Sequence, residues 1–159
     1  MAPRHTAQFQ ETNMFLKVLR LIPLMVLLLI AYNVVIMIFV GEGQDPYKEV
    51  FNQPILNEFQ MISGGKWTFT VEHLFLLVGL VFLFFELIKA TSIGGTAIAE
   101  MAISTIVFII FLVEFLLVEN ASSSLFFLLM IISLIDVIAG YVIGIKVARR
   151  DLAIGGGIM

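Results

Sequence analysis

Three carboxylates stand within long apolar runs of the sequence, where ionisable side chains are rare. Asp136 lies eleven residues after Leu125 and ten before Lys146, near the middle of the last run. Glu114 and Glu86 lie in two other runs, each nearer to an end. An Asp in the hydrocarbon layer costs about 2.5–3.5 kcal/mol and normally faces the interior of a helix bundle or a partner. Carboxylates at three depths are what a path for protons or ions requires.

A stripe of small and polar residues surrounds Asp136 on its predicted helix. Ser133, Asp136, Gly140 and Gly144 succeed one another at steps of three, four and four, which places all four residues on one face. The spacing Gly140-x-x-x-Gly144 is typical of close helix packing in membranes. We expect another helix on this stripe, from the same bundle or from another chain. Asp136 then either hydrogen-bonds across that contact or handles protons.

A second stripe runs along the predicted helix that contains Glu86. Glu72, Gly79 and Glu86 are seven residues apart, so they share a face, and Gly79 offers another close-packing position. Lys89 follows Glu86 by three residues, and this spacing predicts an ion pair on the helix surface. No Lys or Arg stands in the middle of any apolar run, so a partner subunit is a possible source of a counter-charge for Asp136.

Catalytic and metal-binding signatures are absent from the sequence. It contains no H-E-x-x-H, G-x-S-x-G or phosphate-binding glycine loop, and it has no cysteine. His73 has no second histidine four residues away, so it is a poor metal ligand. The net charge of −3, without a basic stripe, excludes an electrostatic footprint for nucleic acid. We therefore expect no catalytic residues, no metal, no cofactor and no nucleic-acid partner.

The elements that position these residues follow from the apolar runs. Hydrophobic residues make up 60% of the 159 residues and charged residues 13%, a balance that requires lipid as solvent. The runs predict one all-α membrane domain over residues 1–159 with four transmembrane helices. The first is expected to begin at about Phe15, with Pro23 in its first turns. The predicted spans are residues 15–40, 70–89, 97–118 and 124–147.

The orientation of these spans follows from the basic residues that flank them, because loops rich in Lys and Arg stay in the cytoplasm. Seven lie on one side and two, Lys48 and Lys66, on the other. Both termini are thus expected in the cytoplasm, and the loop 41–69 outside. This loop predicts a short interfacial helix interrupted at Pro54, either as a lid on the bundle or as a substrate-binding loop. Trp67 is the expected interfacial anchor.

Three short strings of the sequence resemble one known family. They are Ile38-Phe39-Val40-Gly41-Glu42, Leu83-Phe84-Phe85-Glu86-Leu87-Ile88-Lys89 and Leu116-Leu117-Val118 before a short turn. They are similar to the phosphate-starvation-inducible protein E family and to other uncharacterised bacterial proteins with four spans. The resemblance covers roughly residues 18–150, although the outer loop is longer here. It implies a multi-pass protein of the bacterial cytoplasmic (inner) membrane and no particular chemistry.

The sequence therefore predicts a non-enzymatic protein that acts as an accessory or assembly subunit of a larger membrane complex. Its expected partners are the lipid bilayer and other membrane subunits, or further copies of itself. The alternative is a small oligomeric channel or proton-coupled transporter that uses Glu86, Glu114 and Asp136. Ser133, Asp136, Gly140, Gly144 and Gly79 are the expected packing or partner interface.

Overall fold

The computed structural model describes residues 22–41, 43–91 and 97–155, and these residues are mostly helical. Within these ranges the bundle has four α-helices: α1 (Leu24–Phe39), α2 (Val71–Ala90), α3 (Ala97–Leu117) and α4 (Ser124–Gly155). α2 and α3 begin and end within one residue of the predicted spans. Their boundaries follow the apolar runs because lipid-exposed backbone must be hydrogen-bonded within its own helix.

Three of the helices are long and apolar enough to cross a membrane. They are Val71–Ala90, Ala99–Leu117 and Ser124–Lys146, with mean hydropathies of 2.2, 2.3 and 2.5. α1 is apolar but shorter, with 16 residues. A helix of that length rises about 24 Å, somewhat less than the hydrocarbon core of about 30 Å. The described chain is thus a helical membrane protein with three long apolar helices and a shorter fourth.

α1 begins at Leu24, and not at about Phe15 as the apolar pattern predicts. Ile22 and Pro23 are not helical, and Pro23 has an extended ψ of 137°. Residues 15–21 lie outside the described part of the chain. Proline fixes its own φ and has no N–H, so it suits the position just before a helix. The apolar pattern does not register this break because Ile22 and Pro23 are themselves apolar.

α4 continues to Gly155, beyond the predicted end of its span at residue 147. Its apolar part, Ser124–Lys146, still matches the predicted span closely. The extension contains three consecutive charged residues, Arg149 to Asp151, and the side chain of Arg149 is exposed. A span ends where the chain becomes polar, whereas a helix ends only where its backbone hydrogen bonding stops. No proline interrupts the segment between these two points.

The bundle is arranged around α4, which packs extensively against both α2 and α3. α1 packs mainly on α2 and makes fewer contacts with α3. The core contains one continuous set of buried residues, many of them aromatic or large aliphatic side chains. Its fully buried members include Met25, Tyr32, Phe51, Phe111, Leu125, Phe126 and Leu129. Phe51 comes from the segment between α1 and α2, so this segment belongs to the core.

That segment, residues 43–70, covers one end of the bundle and is called the lid below. It begins with a π-helical turn, Tyr47–Phe51, followed by a two-stranded antiparallel sheet of β1 (Phe59–Gln60) and β2 (Lys66–Trp67). The expected helical piece is present before Pro54, whereas the hairpin was not predicted. Gly64, with φ +82°, forms its turn because glycine adopts positive φ without strain.

Candidate functional site

Asp136 lies in the interior of the bundle, where its carboxyl group hydrogen-bonds Ser104 of α3. Both side chains are buried. A hydrogen bond between neighbouring helices satisfies groups that lipid cannot satisfy. Glu86 and Lys89 of α2 lie close enough to Asp136 to interact with it electrostatically. Asp136 therefore stands at a junction of three helices.

Glu86 is also buried, and its two carboxylate oxygens have separate partners. Oε1 accepts a hydrogen bond of 2.6 Å from the backbone N–H of Leu24, the first residue of α1. Oε2 pairs with Nζ of Lys89 at 3.2 Å, so the ion pair predicted from their spacing is confirmed. The first N–H groups of a helix have no partner within it, and the helix dipole favours a negative charge there. Glu86 thus caps α1 from another helix.

These four side chains, Glu86, Lys89, Ser104 and Asp136, are called the carboxylate cluster below. They are supplied by α2, α3 and α4, and Leu24 of α1 adds a backbone donor. No buried side-chain nitrogen or oxygen lacks a hydrogen-bond partner in the part of the chain that is described. The cluster thus brings all four helices together with its polar atoms engaged, in the half of the bundle away from the lid.

Gly79 lies where α2 approaches α1 and α4. A Cβ atom built there would meet Leu28 at 3.2 Å, Leu129 at 3.3 Å and Ile132 at 3.4 Å. These distances are tighter than ordinary van der Waals contact, so the side chains occupy the space that a larger residue would fill. The absence of a side chain lets the three helices approach closely at this level.

The stripe on α4 faces α3 within the same chain. A Cβ atom at Gly144 would meet Cε of Met101 at 2.9 Å, and one at Gly140 would meet Cγ of the same residue at 3.6 Å. Ser133 is buried, like Asp136. Met101 thus fills the space along the glycine stripe, with the flexible thioether that suits irregular gaps.

Glu114 lies far from the other two carboxylates. It hydrogen-bonds Asn33 of α1, toward the lid end of the bundle. Ten residues of α3 separate it from Ser104, which corresponds to about 15 Å along the helix axis. The buried side chains of Val107 and Phe111 lie between those levels. The structure brings Glu86 and Asp136 together and leaves Glu114 apart, with an apolar layer between.

An aromatic cluster joins the lid to the bundle. The ring of Phe51 stacks on Tyr32 with centroids 5.0 Å apart, and both meet Phe75 edge-on. Phe126 of α4 lies 4.7 Å from Tyr32. The Tyr32 hydroxyl donates a 2.9 Å hydrogen bond to the carbonyl of Asn120, in the turn between α3 and α4. A buried tyrosine hydroxyl requires such a partner, and this one connects α1 to the neighbouring turn.

Trp67 lies at the lid surface beside the start of α2. Its ring contacts those of Phe59, Phe69 and His73, with centroids between 5.6 and 6.2 Å apart. His73 Nδ1 also lies 2.7 Å from the Thr70 hydroxyl oxygen and accepts from the Thr70 backbone N–H at 3.1 Å. These contacts form a capping box at the first turn of α2. His73 is therefore part of a helix cap.

Sequence reasoning did not assign the partners of several polar groups that the bundle uses. Asn33 and Tyr32 interrupt the first apolar run, and Ser104 interrupts the third. Each is a polar group in a lipid-spanning run, which is a signal for an interhelical hydrogen bond. The signal did not say which helix supplies the partner.

Comparison of the chain with protein-family models, with curated proteins and with solved structures finds no match.

Proposed function

We propose that this chain is a non-enzymatic multi-pass protein of the bacterial cytoplasmic membrane that acts as an accessory or assembly subunit of a larger membrane complex. The observation that carries the proposal is how its intramembrane polar groups are used. Glu86 caps α1, Asp136 bonds Ser104, and Tyr32 bonds the turn before α4. Because these polar groups are used to hold the helices together, they support a structural role for the chain rather than a catalytic one.

Four spans are proposed because α1 runs alongside α2 for much of its length. Its first residue, Leu24, meets Glu86 near the end of α2, and its third turn brings Tyr32 against Phe75 near the start of α2. The two helices are thus antiparallel and extend between the same two ends of the bundle. Because α2 is long enough to cross the membrane, α1 crosses most of the same layer beside it.

Both termini are proposed to lie in the cytoplasm. Lys89, Lys146 and Arg149 lie toward the end of the bundle away from the lid, whereas Lys48 and Lys66 belong to the lid. Arg4, Lys17 and Arg20 precede α1 and add to the first group by sequence. The excess of basic residues marks the cytoplasmic end, so the lid faces outward.

The accessory role is supported by the outer faces of the helices. α2 exposes a series of large apolar side chains that includes Leu77, Leu80, Phe84 and Phe85. Lipid or the helices of other subunits cover such faces in a membrane. The resemblance to the phosphate-starvation-inducible protein E family points to the same membrane and remains a prediction.

A channel or proton-coupled transporter is the second candidate, and one observation favours it. Asp136 and Glu86 are both buried and within electrostatic range of each other, as neighbouring sites of a relay would be. The gap of about 15 Å to the level of Glu114, filled by apolar side chains, argues against a continuous path through a single bundle. A path between several copies of the chain avoids that gap.

The topology is testable with single cysteines, because the chain has none of its own. Ala7→Cys, Ser63→Cys, Thr91→Cys and Ser122→Cys are each labelled in intact spheroplasts with a maleimide that does not cross membranes. We expect Ser63→Cys and Ser122→Cys to react, and Ala7→Cys and Thr91→Cys to react only after permeabilisation. Labelling of Ala7→Cys in intact cells would show that α1 does not cross.

The role is tested by two measurements on the same preparation. Purification from the native membrane in mild detergent is expected to return other membrane proteins at fixed stoichiometry. Liposomes that contain the purified protein are expected to show no proton flux above that of empty liposomes. Flux that is lost in Asp136→Asn and kept in Glu49→Gln, an exposed lid residue, would replace the accessory role with the transporter.

A further inference from the structure

A groove of about 300 Å³ opens on the surface of the bundle between α1 and α3, at the lid end. It lies where these two helices make few contacts with each other. The turn at Asn120 and Ala121 closes it toward the lid. Its remaining lining combines apolar side chains with one amide and one carboxylate: Val34, Ile36, Met37, Val118, Asn33 and Glu114.

The polar part of the groove contains a carboxyl group that has no ion-pair partner among the described residues. Glu114 hydrogen-bonds Asn33, whose amide nitrogen also donates to the carbonyl of Leu29 at 3.1 Å. The three ion pairs found among the described residues involve Asp45, Glu58 and Glu86, and none involves Glu114. Asn33 is exposed in the middle of an apolar helix. A carboxylate and an amide facing lipid are costly unless a ligand donates hydrogen bonds to them.

The position and size of the groove indicate what that ligand is. Glu114 is three residues before the end of α3, about 4.5 Å along the axis, so it lies close to the level of the lipid headgroups. A volume of about 300 Å³ is at the lower end of small-molecule pockets, which span roughly 300–1,000 Å³. A partner helix would need a contact surface of several turns, whereas the lining of this groove covers little more than one turn of α1.

We infer that this groove binds the primary ammonium group of a phospholipid headgroup, as in phosphatidylethanolamine. The ammonium donates to the Glu114 carboxylate and to the oxygen of the Asn33 amide, while Val34, Met37 and Val118, which lie nearer the lid end, contact the carbon atoms of the headgroup. A charge-assisted hydrogen bond of this kind is stronger than a neutral one. The inference requires that the helices lie in a bilayer, and it is independent of any partner complex.

Lipid binding is measured by native mass spectrometry of the full chain, released from detergent micelles that contain one dioleoyl lipid at a time. The lipids are phosphatidylethanolamine, phosphatidylcholine and phosphatidylglycerol. We expect tightest binding of phosphatidylethanolamine, because its ammonium donates N–H hydrogen bonds, whereas that of phosphatidylcholine is fully methylated and phosphatidylglycerol has none. Glu114→Gln should weaken phosphatidylethanolamine binding about tenfold, from loss of the charge-assisted bond.

Glu49→Gln is the matched control, because it removes the same charge from an exposed position in the lid. It should bind phosphatidylethanolamine like the wild type, and Glu114→Asp should recover part of the affinity. Circular dichroism and a monodisperse elution profile establish that each variant is folded. Equal binding of the three lipids, or an unchanged preference in folded Glu114→Gln, would overturn the inference. Cross-linking of Met37→Cys to another protein in the native membrane, together with no lipid preference, would assign the groove to a partner chain.

Discussion

Replacement of Phe51 by alanine should detach the lid from the bundle while leaving the helices assembled. Phe51 is fully buried, stacks on Tyr32 and meets Phe75 edge-on, yet it belongs to a five-residue π-helical turn. It is the lid's one fully buried side chain among the residues described. The perturbation thus removes the main apolar anchor of a segment that is otherwise held by backbone hydrogen bonds near residues 53–55 and 69–71.

The size of the effect follows from the burial. A Phe→Ala change at a fully buried position costs about 3–5 kcal/mol. The loss acts on lid docking, because the helices keep their own contacts and the carboxylate cluster. Each 1.4 kcal/mol changes an equilibrium about tenfold, so the open fraction of the lid should rise roughly 100-fold or more.

Limited trypsin digestion in nanodiscs measures that fraction at Lys48, which lies within the π-helical turn. Cleavage requires the local backbone to open, so its rate follows the open population when reclosing is fast. We expect Phe51→Ala to be cut roughly 100 times faster than the wild type, or more. Ile62→Ala, at the fully exposed hairpin tip, is the control and should be cut at the wild-type rate. Equal cleavage of Phe51→Ala and the wild type would refute the reasoning that the aromatic anchor holds the lid.

Three further predictions have defined outcomes. Glu86→Ala should lower the free energy of unfolding by about 1–3 kcal/mol, because the first N–H of α1 and the ammonium beside it lose their acceptor, as thermal unfolding in detergent would measure. Gly79→Leu should lower it by about 1–3 kcal/mol through overpacking, whereas Gly140→Ala, with a nearest contact of 3.6 Å, should not. The carboxylate of Glu72 raises the pKa of the Tyr47 hydroxyl, so ultraviolet titration should show it ionising at higher pH than an ordinary tyrosine.

Each of these outcomes has a control that can contradict it. The side-chain amide of Glu86→Gln still offers an oxygen acceptor to the Leu24 N–H, so this variant should lose less stability than Glu86→Ala. The reverse order of stabilities would contradict the capping role of Glu86. An unchanged melting temperature for Gly79→Leu would show that the side chains of α1 and α4 around Gly79 can move apart at little cost in stability. Because the folded pKa of Tyr47 is raised, its hydrogen bond with Glu72 is present below the ordinary tyrosine pKa and is lost as pH rises through the raised value. Glu72→Gln should remove the shift, with Tyr47→Phe identifying the titration.

The long apolar helices were predictable from sequence because lipid imposes a simple rule on the backbone. Every N–H and C=O in the hydrocarbon layer needs a partner within its own segment, so an apolar run of about 20 residues is read directly as a helix. The bounds of α2 and α3 follow from that rule, and so does the apolar part of α4. The Glu86–Lys89 pair was equally accessible, because both residues are on one helix and its geometry fixes their separation.

The sequence pattern failed where tertiary contacts decide. The start of α1 depends on the Glu86 carboxylate, 62 residues away in the chain, which satisfies the Leu24 amide. The sequence left two alternatives for the loop 41–69, a lid on the bundle or a substrate-binding loop. It did not show that Phe51 of this loop is buried against Tyr32 of α1. An amphipathic segment shows that it has an apolar side but does not show what that side contacts.

By itself, the sequence determined which segments prefer lipid, which residues share a helix face, and which polar groups need partners inside the membrane. Only the tertiary structure decided which partners they have: Asp136 with Ser104, Glu86 with the start of α1, and Glu114 with Asn33. The Glu114–Asn33 pair lies about 15 Å along the α3 axis from the level of Ser104. The physical reason is that helix periodicity fixes directions within one helix. Relative rotation and depth between helices are set by side-chain packing, which brings distant parts of the chain together.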